Sequence, residues 1–446
     1  MEITNLLNGV YLKKRRNSIF RKNKENKMYD NNDTHTNYYK IIMAIGIIMS
    51  SLWVIFVNSV PFSDFSYYYN MAVNIANGGT WGDTYTSIGY SIVLGGIFKL
   101  FGASVFKAKI FNIVLTFINY LLFKSILYKL DLSEIDRRVI FAMFVFIPNN
   151  IFYNSILGTE LIFTAILLAA TNLYMGSMKF KYILIGILAG LNTMIKPFFI
   201  IFFFLIFLVD IIKNRKLLSS IKNSLIVLLF TAIVISPWIY RNSKLMGEFT
   251  YVSNNGGIVL YINNNSQNDK GRWMPAEDVE NSIVKTKAYK NANMTEKNKM
   301  LSAEAKKWIK AHPMEFIDLG FKRLFNTYFV GDDVGYSIYG SNISYNLQKN
   351  IIKITNLIRI VIFGIGIISI LVYSIVILML IIKGKTDILN RFNVYSVILF
   401  FMFTCVYFIT EGQGRYSFPI IFVFVYWFYN VLKYIYFLKL QFTNTD

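Results

Sequence analysis

Cysteine and histidine are nearly absent from this 446-residue chain, which has one Cys (Cys405) and two His (His35, His312). A single thiol excludes an intrachain disulfide, and no zinc-ligand spacing can be assembled from so few donors. Cys405 is expected to be a buried bystander. Charge is sparse too, at 16% Asp, Glu, Lys and Arg, where a soluble domain carries about a quarter. With 55% hydrophobic and 17% aromatic residues, this excludes a soluble enzyme, a disordered chain, a collagen-like chain and a disulfide scaffold. An all-α, multi-span integral membrane protein remains.

Apolar runs of spanning length recur along the chain. They are expected at 41–60, 105–128, 138–154, 159–177, 181–196, 197–212, 221–240, 354–382, 392–410 and 416–438, about ten spans. Lys196 and Pro197 interrupt the stretch 181–212, which reads as two short helices joined by a tight turn. Residues 1–40 form a polar, basic tail with Lys13, Lys14, Arg15 and Arg16. The tail is too long and polar for a signal-peptide n-region, so 41–60 reads as a retained signal anchor.

There are 46 Lys and Arg against 25 Asp and Glu, a formal charge of +21. A basic excess suits nucleic acid or the cytoplasmic loops of a membrane protein, and its placement favours the loops. With an inside N-terminus, the loops 124–138, 179–181, 213–222 and 383–391 fall inside, and each is rich in Lys or Arg. Both termini are then cytoplasmic. Residues 61–104 and 241–353 fall outside, and the second is the one segment long enough for a small extracytoplasmic domain. The chain divides accordingly into a tail (1–40), a seven-span module (41–240), the outer domain (241–353), a three-span module (354–438) and a final tail (439–446). Within the outer domain, 277–310 reads as a charged amphipathic helix.

Ionisable groups collect at the outer boundary. Asp64 follows the first span, Glu160 opens the fourth, and Lys196 ends the fifth. Arg241 ends the seventh, and Glu411 and Arg415 lie in the last outer turn. Such groups are costly near hydrocarbon and normally face a cavity or pair. Their convergence suggests an outward-facing polar site, against the plainer reading of interfacial anchors and structural ion pairs. Asp64 can also be read as the N-cap of a short following helix, a role open to Ser63 as well. Lys196 can be read as a snorkelling side chain beside a proline-broken turn. Asn255, Gly256 and Gly257 suit either a substrate-facing loop or a turn needing positive φ. The pair Asp332 and Asp333 invites a metal reading, although acidic surface loops are common. Residues 67–77 and 87–100 are apolar but too short to span, and suit helices lying at the membrane interface.

In this order the segments resemble the GT-C superfamily of membrane glycosyltransferases, on the branch of the protein O-mannosyltransferases and aminoarabinose transferases. The resemblance runs from about Ile41 to Lys433. It is carried by Asp64 with Tyr68 and Ala72, and by Gly89 and Tyr90 through Gly102. Thr159-Glu160 resembles a Thr-Glu-Pro element, with Leu161 where proline is usual, and Lys196-Pro197 an Arg-Pro element. Pro237-Trp238, Arg241-Asn242, Asn255-Gly256-Gly257 and Asn264-Asn265 follow, then Arg415-Tyr416 with Pro419. Two departures stand out. Gln413 occupies the place of an acid common two residues before the last-loop Arg, Glu411 lying four before it. The first loop also lacks adjacent acids, Asp83 being the nearest second one.

The resemblance implies transfer of a sugar from a polyprenyl-phosphate carrier, as co-substrate, to a protein, lipid or polysaccharide acceptor at the outer membrane face. Such chemistry needs a carboxylate base and cations for the departing phosphate. Asp64 is expected as the base, with Lys196, Arg415 and Arg241 on the phosphate. Glu160, Glu411, Asp83, Tyr68, Asn255, Gly256 and Gly257 are expected around the substrate. No metal ligand is assigned, a need for a divalent metal is left open, and no nucleic-acid partner is expected. A transporter or flippase of lipid-linked saccharides and a surface-polysaccharide polymerase or ligase are the competing readings. The absence of an inverted hydropathy repeat and of ionisable residues deep in a span weighs against a transporter.

Overall fold

The computed structural model describes residues 31–331 and 333–443, and every regular element among them is a helix. The first half comprises α1 (Asn31–Phe56), α2 (Ser63–Ala76), α3 (Gly89–Phe101), α4 (Val105–Lys129), α5 (Glu134–Phe146), α6 (Glu160–Met175), α7 (Lys181–Ile195), α8 (Phe202–Asn214) and α9 (Leu217–Met246). Next come α10 (Gly256–Asn263), α11 (Met294–Ala311) and α12 (Pro313–Tyr328). The chain ends with α13 (Tyr345–Ile382), α14 (Arg391–Ile409) and α15 (Ile421–Thr443). Short single-turn and 3₁₀ segments join them.

Seven segments among the described residues are long and apolar enough to cross a membrane: Asn37–Phe56, Val105–Lys129, Pro197–Asn214, Leu217–Met246, Tyr345–Ile382, Arg391–Ile409 and Gly414–Tyr436. The other three expected spans are shorter helices of 13, 16 and 15 residues, α5, α6 and α7. Proline explains the first: Pro148 holds Ile147 extended and ends α5 at Phe146. α1 begins at Asn31, inside the stretch expected as tail, and residues 1–30 and 444–446 lie outside the described residues. The two expected interfacial segments are α2 and α3, which pack on each other. The amphipathic stretch 277–310 is broken into short turns before α11, because a capping box between Asn293 and Glu296 starts the helix there.

One large core runs through the bundle, with two small separate cores, one in the segment between α9 and α13 and one joining Ile88, Ile235, Trp238 and Val252. α7 lies close against α9 because Gly186 and Gly190 share one face. A Cβ on Gly186 would come within 2.7 Å of the Val227 carbonyl oxygen, and one on Gly190 within 2.5 Å of the Val234 Cβ. Such small-residue faces let apolar helices pack by van der Waals contact where no hydrophobic drive exists between them.

Three ionisable groups within the apolar helices are engaged locally. Asp210 in α8 accepts hydrogen bonds from Tyr174, Tyr182 and Asn223 at 2.8–2.9 Å. Lys109 in α4 donates to the Ser59 carbonyl at 2.8 Å. Arg359 in α13 pairs with Asp333 at 2.6 Å, both side chains at most 2% exposed. Asp333 is therefore neither a surface acid nor free for a metal, and Asp332 lies outside the described residues. Cys405 is exposed on α14 rather than buried; on an apolar bundle a thiol tolerates a face turned away from the protein core.

Arg359 also donates to the carbonyls of Thr327 and Gly414 and to the Ser417 hydroxyl. Asn149 and Tyr153 donate to the Asp333 carboxylate at 2.9 and 2.6 Å. Removing one partner strands the other charge. Arg359→Met is expected to cost about 3–5 kcal/mol, with most of the loss recovered in Arg359→Met combined with Asp333→Asn. Denaturant unfolding of the purified protein in detergent measures both; an unchanged single variant would show that the pair contributes nothing.

Candidate functional site

Four chain segments meet at one end of the bundle. The first turn of α2 brings Asp64, the start of α6 brings Glu160, the link between α7 and α8 brings Lys196, and the turn between α14 and α15 brings Glu411 to Tyr416. Each is held from behind. Lys109 fixes Ser59, a few residues before Asp64. Asn112 donates to the Asn154 and Ile156 carbonyls, and Asn119 to that of Leu161, bracketing Glu160. Lys196 is extended (φ −131°, ψ 103°) because Pro197 excludes the helical region for the residue before it. The Arg415 turn hangs on Arg359 through Gly414 and Ser417.

Two ion pairs form the centre. Arg415 donates to Asp64 at 2.7 Å, with the Arg415 side chain 11% exposed and that of Asp64 51% exposed. Lys196 lies 3.6 Å from Glu160, whose side chain is 2% exposed. The second Glu160 oxygen is buried without a hydrogen-bond partner among the described residues, as is the Tyr90 hydroxyl. The ring of Tyr416 joins the pairs: Lys196 Nζ lies 5.1 Å and the Arg415 guanidinium 5.4 Å from its centroid. Phe65 lies under Arg415 as well, at 5.3 Å. Cations held over aromatic faces keep their charge in partly desolvated surroundings.

Asp64 does not cap α2. Phe62 occupies the N-cap position and no side chain there bonds the helix, which leaves the Asp64 carboxylate to Arg415. Tyr68, one turn along α2, packs edge-on against Tyr90. Burial, and then the Asp64 carboxylate, raise the Tyr68 phenol above its ordinary range, so it stays protonated as a hydrogen-bond donor. Glu411 is buried with both oxygens engaged, one by Tyr416 and one by Gln413, each at 2.7 Å. Its carboxylate is thus tied within the turn. Gln413, in turn, accepts from Arg415 Nε at 2.7 Å and sets the guanidinium plane.

The remaining candidates lie elsewhere. Arg241 donates to the Trp81 and Gly82 carbonyls and to Asn242, and lies over the Trp238 ring. It is bound to the first loop near Asp83, whose carboxylate accepts from the Tyr85 amide. Asn255 precedes α10 and accepts from Ser253, while Gly256 and Gly257 are helical with ordinary negative φ. Gly257 is required by packing: a Cβ would meet the Asn298 carbonyl oxygen at 2.2 Å. The positive-φ turn reading does not hold there.

The sequence reading noted Gln413 only as a departure from the family pattern, and it did not single out Phe65 or the Arg359 brace. An arginine early in an apolar run, in a chain so poor in charge, was the available signal for the brace.

Stability separates the two pairs. Asp64 is half exposed, so Asp64→Asn is expected to change unfolding by less than about 1 kcal/mol. Glu160→Gln leaves Lys196 buried without its carboxylate and is expected to cost about 3 kcal/mol. Parallel denaturant melts read both, and equal losses would contradict the asymmetry.

No protein-family model matches the sequence, and no curated protein does. In fold the chain is similar to the oligosaccharyltransferase of Archaeoglobus fulgidus, crystallised with a disulfide-tethered acceptor peptide containing the NVT sequon. The TM-score is 0.51 at 11% identity, covering 92% of this chain and 51% of that one. A second structure, the oligosaccharyltransferase AglB of the same organism with an inhibitory peptide and a dolichol-phosphate, aligns at TM-score 0.49 and 11% identity over 92% of this chain and 52% of that one. The chain spans about half the length of these proteins. Its all-helical fold is similar to that of the first of these oligosaccharyltransferases.

Proposed function

We propose that this chain is a membrane glycosyltransferase that moves a sugar from a polyprenyl-phosphate carrier to an acceptor hydroxyl or amine at the outer face of the membrane. The observation that carries the reading is the half-exposed Asp64 carboxylate set beside two cations, Arg415 and Lys196, that share the Tyr416 ring. A base that must meet an acceptor has to be reachable, and Asp64 is. Cations that receive a leaving phosphate have to be fixed before the charge appears, and Arg415 is held by Gln413, Tyr416 and Phe65.

In this reading the acceptor nucleophile attacks the anomeric carbon as the bond to the phosphate oxygen breaks. Asp64 takes the acceptor proton. The carrier phosphate leaves with the bonding electron pair and is stabilised by Arg415 and Lys196. Phosphate entry draws Arg415 partly away from Asp64, which frees a carboxylate oxygen for the acceptor. Glu160 keeps Lys196 oriented, and the Tyr68 hydroxyl donates to the sugar. Arg241 falls outside this set because the first loop holds it. The acceptor peptide of the Archaeoglobus fulgidus protein supports a protein acceptor among the candidates. The protein O-mannosyltransferase and aminoarabinose-transferase branch remains the proposed subtype on the motifs quoted above.

The test is transfer from radiolabelled polyprenyl-phosphate sugars into a membrane extract, with wild type beside Asp64→Asn. Wild type is expected to label a new product, and the variant to lose about a hundredfold or more. Equal transfer by both would remove Asp64 as the base. No transfer by folded wild type with any donor would favour the transporter.

A further inference from the structure

The segment between α9 and α13 forms an open hollow of about 500 Å³ between α10, α11 and the turns that join them. That volume falls within the range of small-molecule sites. Its lining is unusual for this chain. No Lys or Arg among the described residues lines it. The wall presents two aromatic side chains, Tyr261 and Trp308, two carboxylates, Glu280 and Glu304, and the polar side chains of Ser266 and Asn281. Such a wall repels phosphate and cannot be a second seat for the carrier's charged group.

Several of these groups retain hydrogen-bonding capacity. Trp308 donates its indole N–H to Ser266 Oγ at 2.8 Å, which leaves the Ser266 proton to be donated elsewhere. His312 stacks on Trp308 at 5.1 Å between centroids and fixes the ring. The side chains of Glu304 and Asn281 make no hydrogen bond or ion pair among the described residues, and both line the hollow. A fixed indole ring beside acceptor carboxylates and an amide matches a polyhydroxylated ring: apolar C–H faces lie on the aromatic, and hydroxyls donate to the acids.

The hollow is also tied to the first site. Asn264, in its wall, donates to the Ile409 carbonyl at 3.1 Å, just before Glu411. Arg323 donates to the Asn264 side chain at 2.9 Å and to the Phe408 carbonyl. The Gly412 amide donates to the Gly271 carbonyl at 3.2 Å. The wall of the hollow and the turn that carries Arg415 are therefore one hydrogen-bonded unit.

We propose that this hollow is a saccharide subsite that holds an uncharged sugar unit away from the reacting bond. The sugar belongs either to the glycan on the carrier or to a glycosylated acceptor, and the chemistry of recognition is the same. Its existence does not require Asp64 to be a base; its use in catalysis rests on the glycosyltransferase reading.

The experiment is binding of full-length protein in detergent to a defined array of soluble neutral-hexose, N-acetylhexosamine and uronic-acid oligosaccharides. Wild type is expected to retain neutral chains over uronic acids. Trp308→Ala is expected to weaken retention by about tenfold or more, with Trp308→Phe keeping most of it. Glu304→Gln, at a partly exposed position without a partner to strand, is expected to weaken it several-fold with unchanged unfolding. Asp64→Asn is expected to bind as wild type does, so the result is readable even if transfer fails. In a transfer assay, a raised KM for the lipid-linked donor or for the acceptor in Trp308→Ala assigns the source of the sugar. No retained glycan, retention indifferent to both Trp308→Ala and Glu304→Gln, or capture of a lysine-rich peptide in place of any glycan would overturn the proposal.

Discussion

Charge taken out of water constrains this molecule more than any other single factor. An ionised side chain in an apolar bundle survives only with its partner and with further hydrogen bonds around both. The Arg359–Asp333 pair meets that condition by gathering neighbours: Asn149 and Tyr153 on the acid, and Thr327, Gly414 and Ser417 on the guanidinium. Satisfying one buried pair thus fixes the end of α12, the link after α5, the early part of α13 and the turn that bears Arg415. Two neighbours of Arg359 flank Arg415, so the geometry of the exposed pair rests on the buried one.

The two pairs at the site differ in a way that suits different tasks. Glu160 and Lys196 are enclosed, and their separation of 3.6 Å leaves one Glu160 oxygen without a partner. Asp64 and Arg415 meet at 2.7 Å, yet the acid is half exposed. An enclosed pair keeps its arrangement when the other opens. An exposed acid can exchange a cation for an incoming proton donor at small cost, because water screens the interaction. The proposed division of labour, with Asp64 moving a proton and Lys196 holding position, follows from burial.

Much of this was legible in the sequence because membrane helices state themselves strongly. Apolar length, proline placement and clustered Lys and Arg are local signals, and they located the helices, the Lys196-Pro197 break and the segments that supply Asp64, Glu160, Lys196 and Arg415. One helix length was less legible: α5 ends at Phe146 because Pro148 cuts it, and the apolar run continues past the cut. Pairwise contact was illegible. Nothing in the sequence says that Glu411 turns to Tyr416 and Gln413, or that Arg241 reaches the Trp81 and Gly82 carbonyls. Those outcomes depend on which backbone groups are left unsatisfied nearby, a property of the assembled fold.

Arg241 shows how far position alone can mislead. It closes the apolar run of α9 beside Trp238, as a phosphate-binding cation would, and its spacing from the following Asn and Gly residues is part of the sequence resemblance. In the fold it is instead the fastening of the first loop: its guanidinium closes over the Trp238 ring at 4.3 Å and onto carbonyls next to Asp83. Guanidinium groups serve equally well for carbonyl oxygens and phosphate oxygens, since both present lone pairs to a planar fork of donors. What separates the two uses is whether an acceptor of the protein's own already occupies the fork. For Arg241 carbonyls occupy it, and for Arg415 a half-exposed carboxylate does. Only the second arrangement can be exchanged for an incoming phosphate without unfastening a loop.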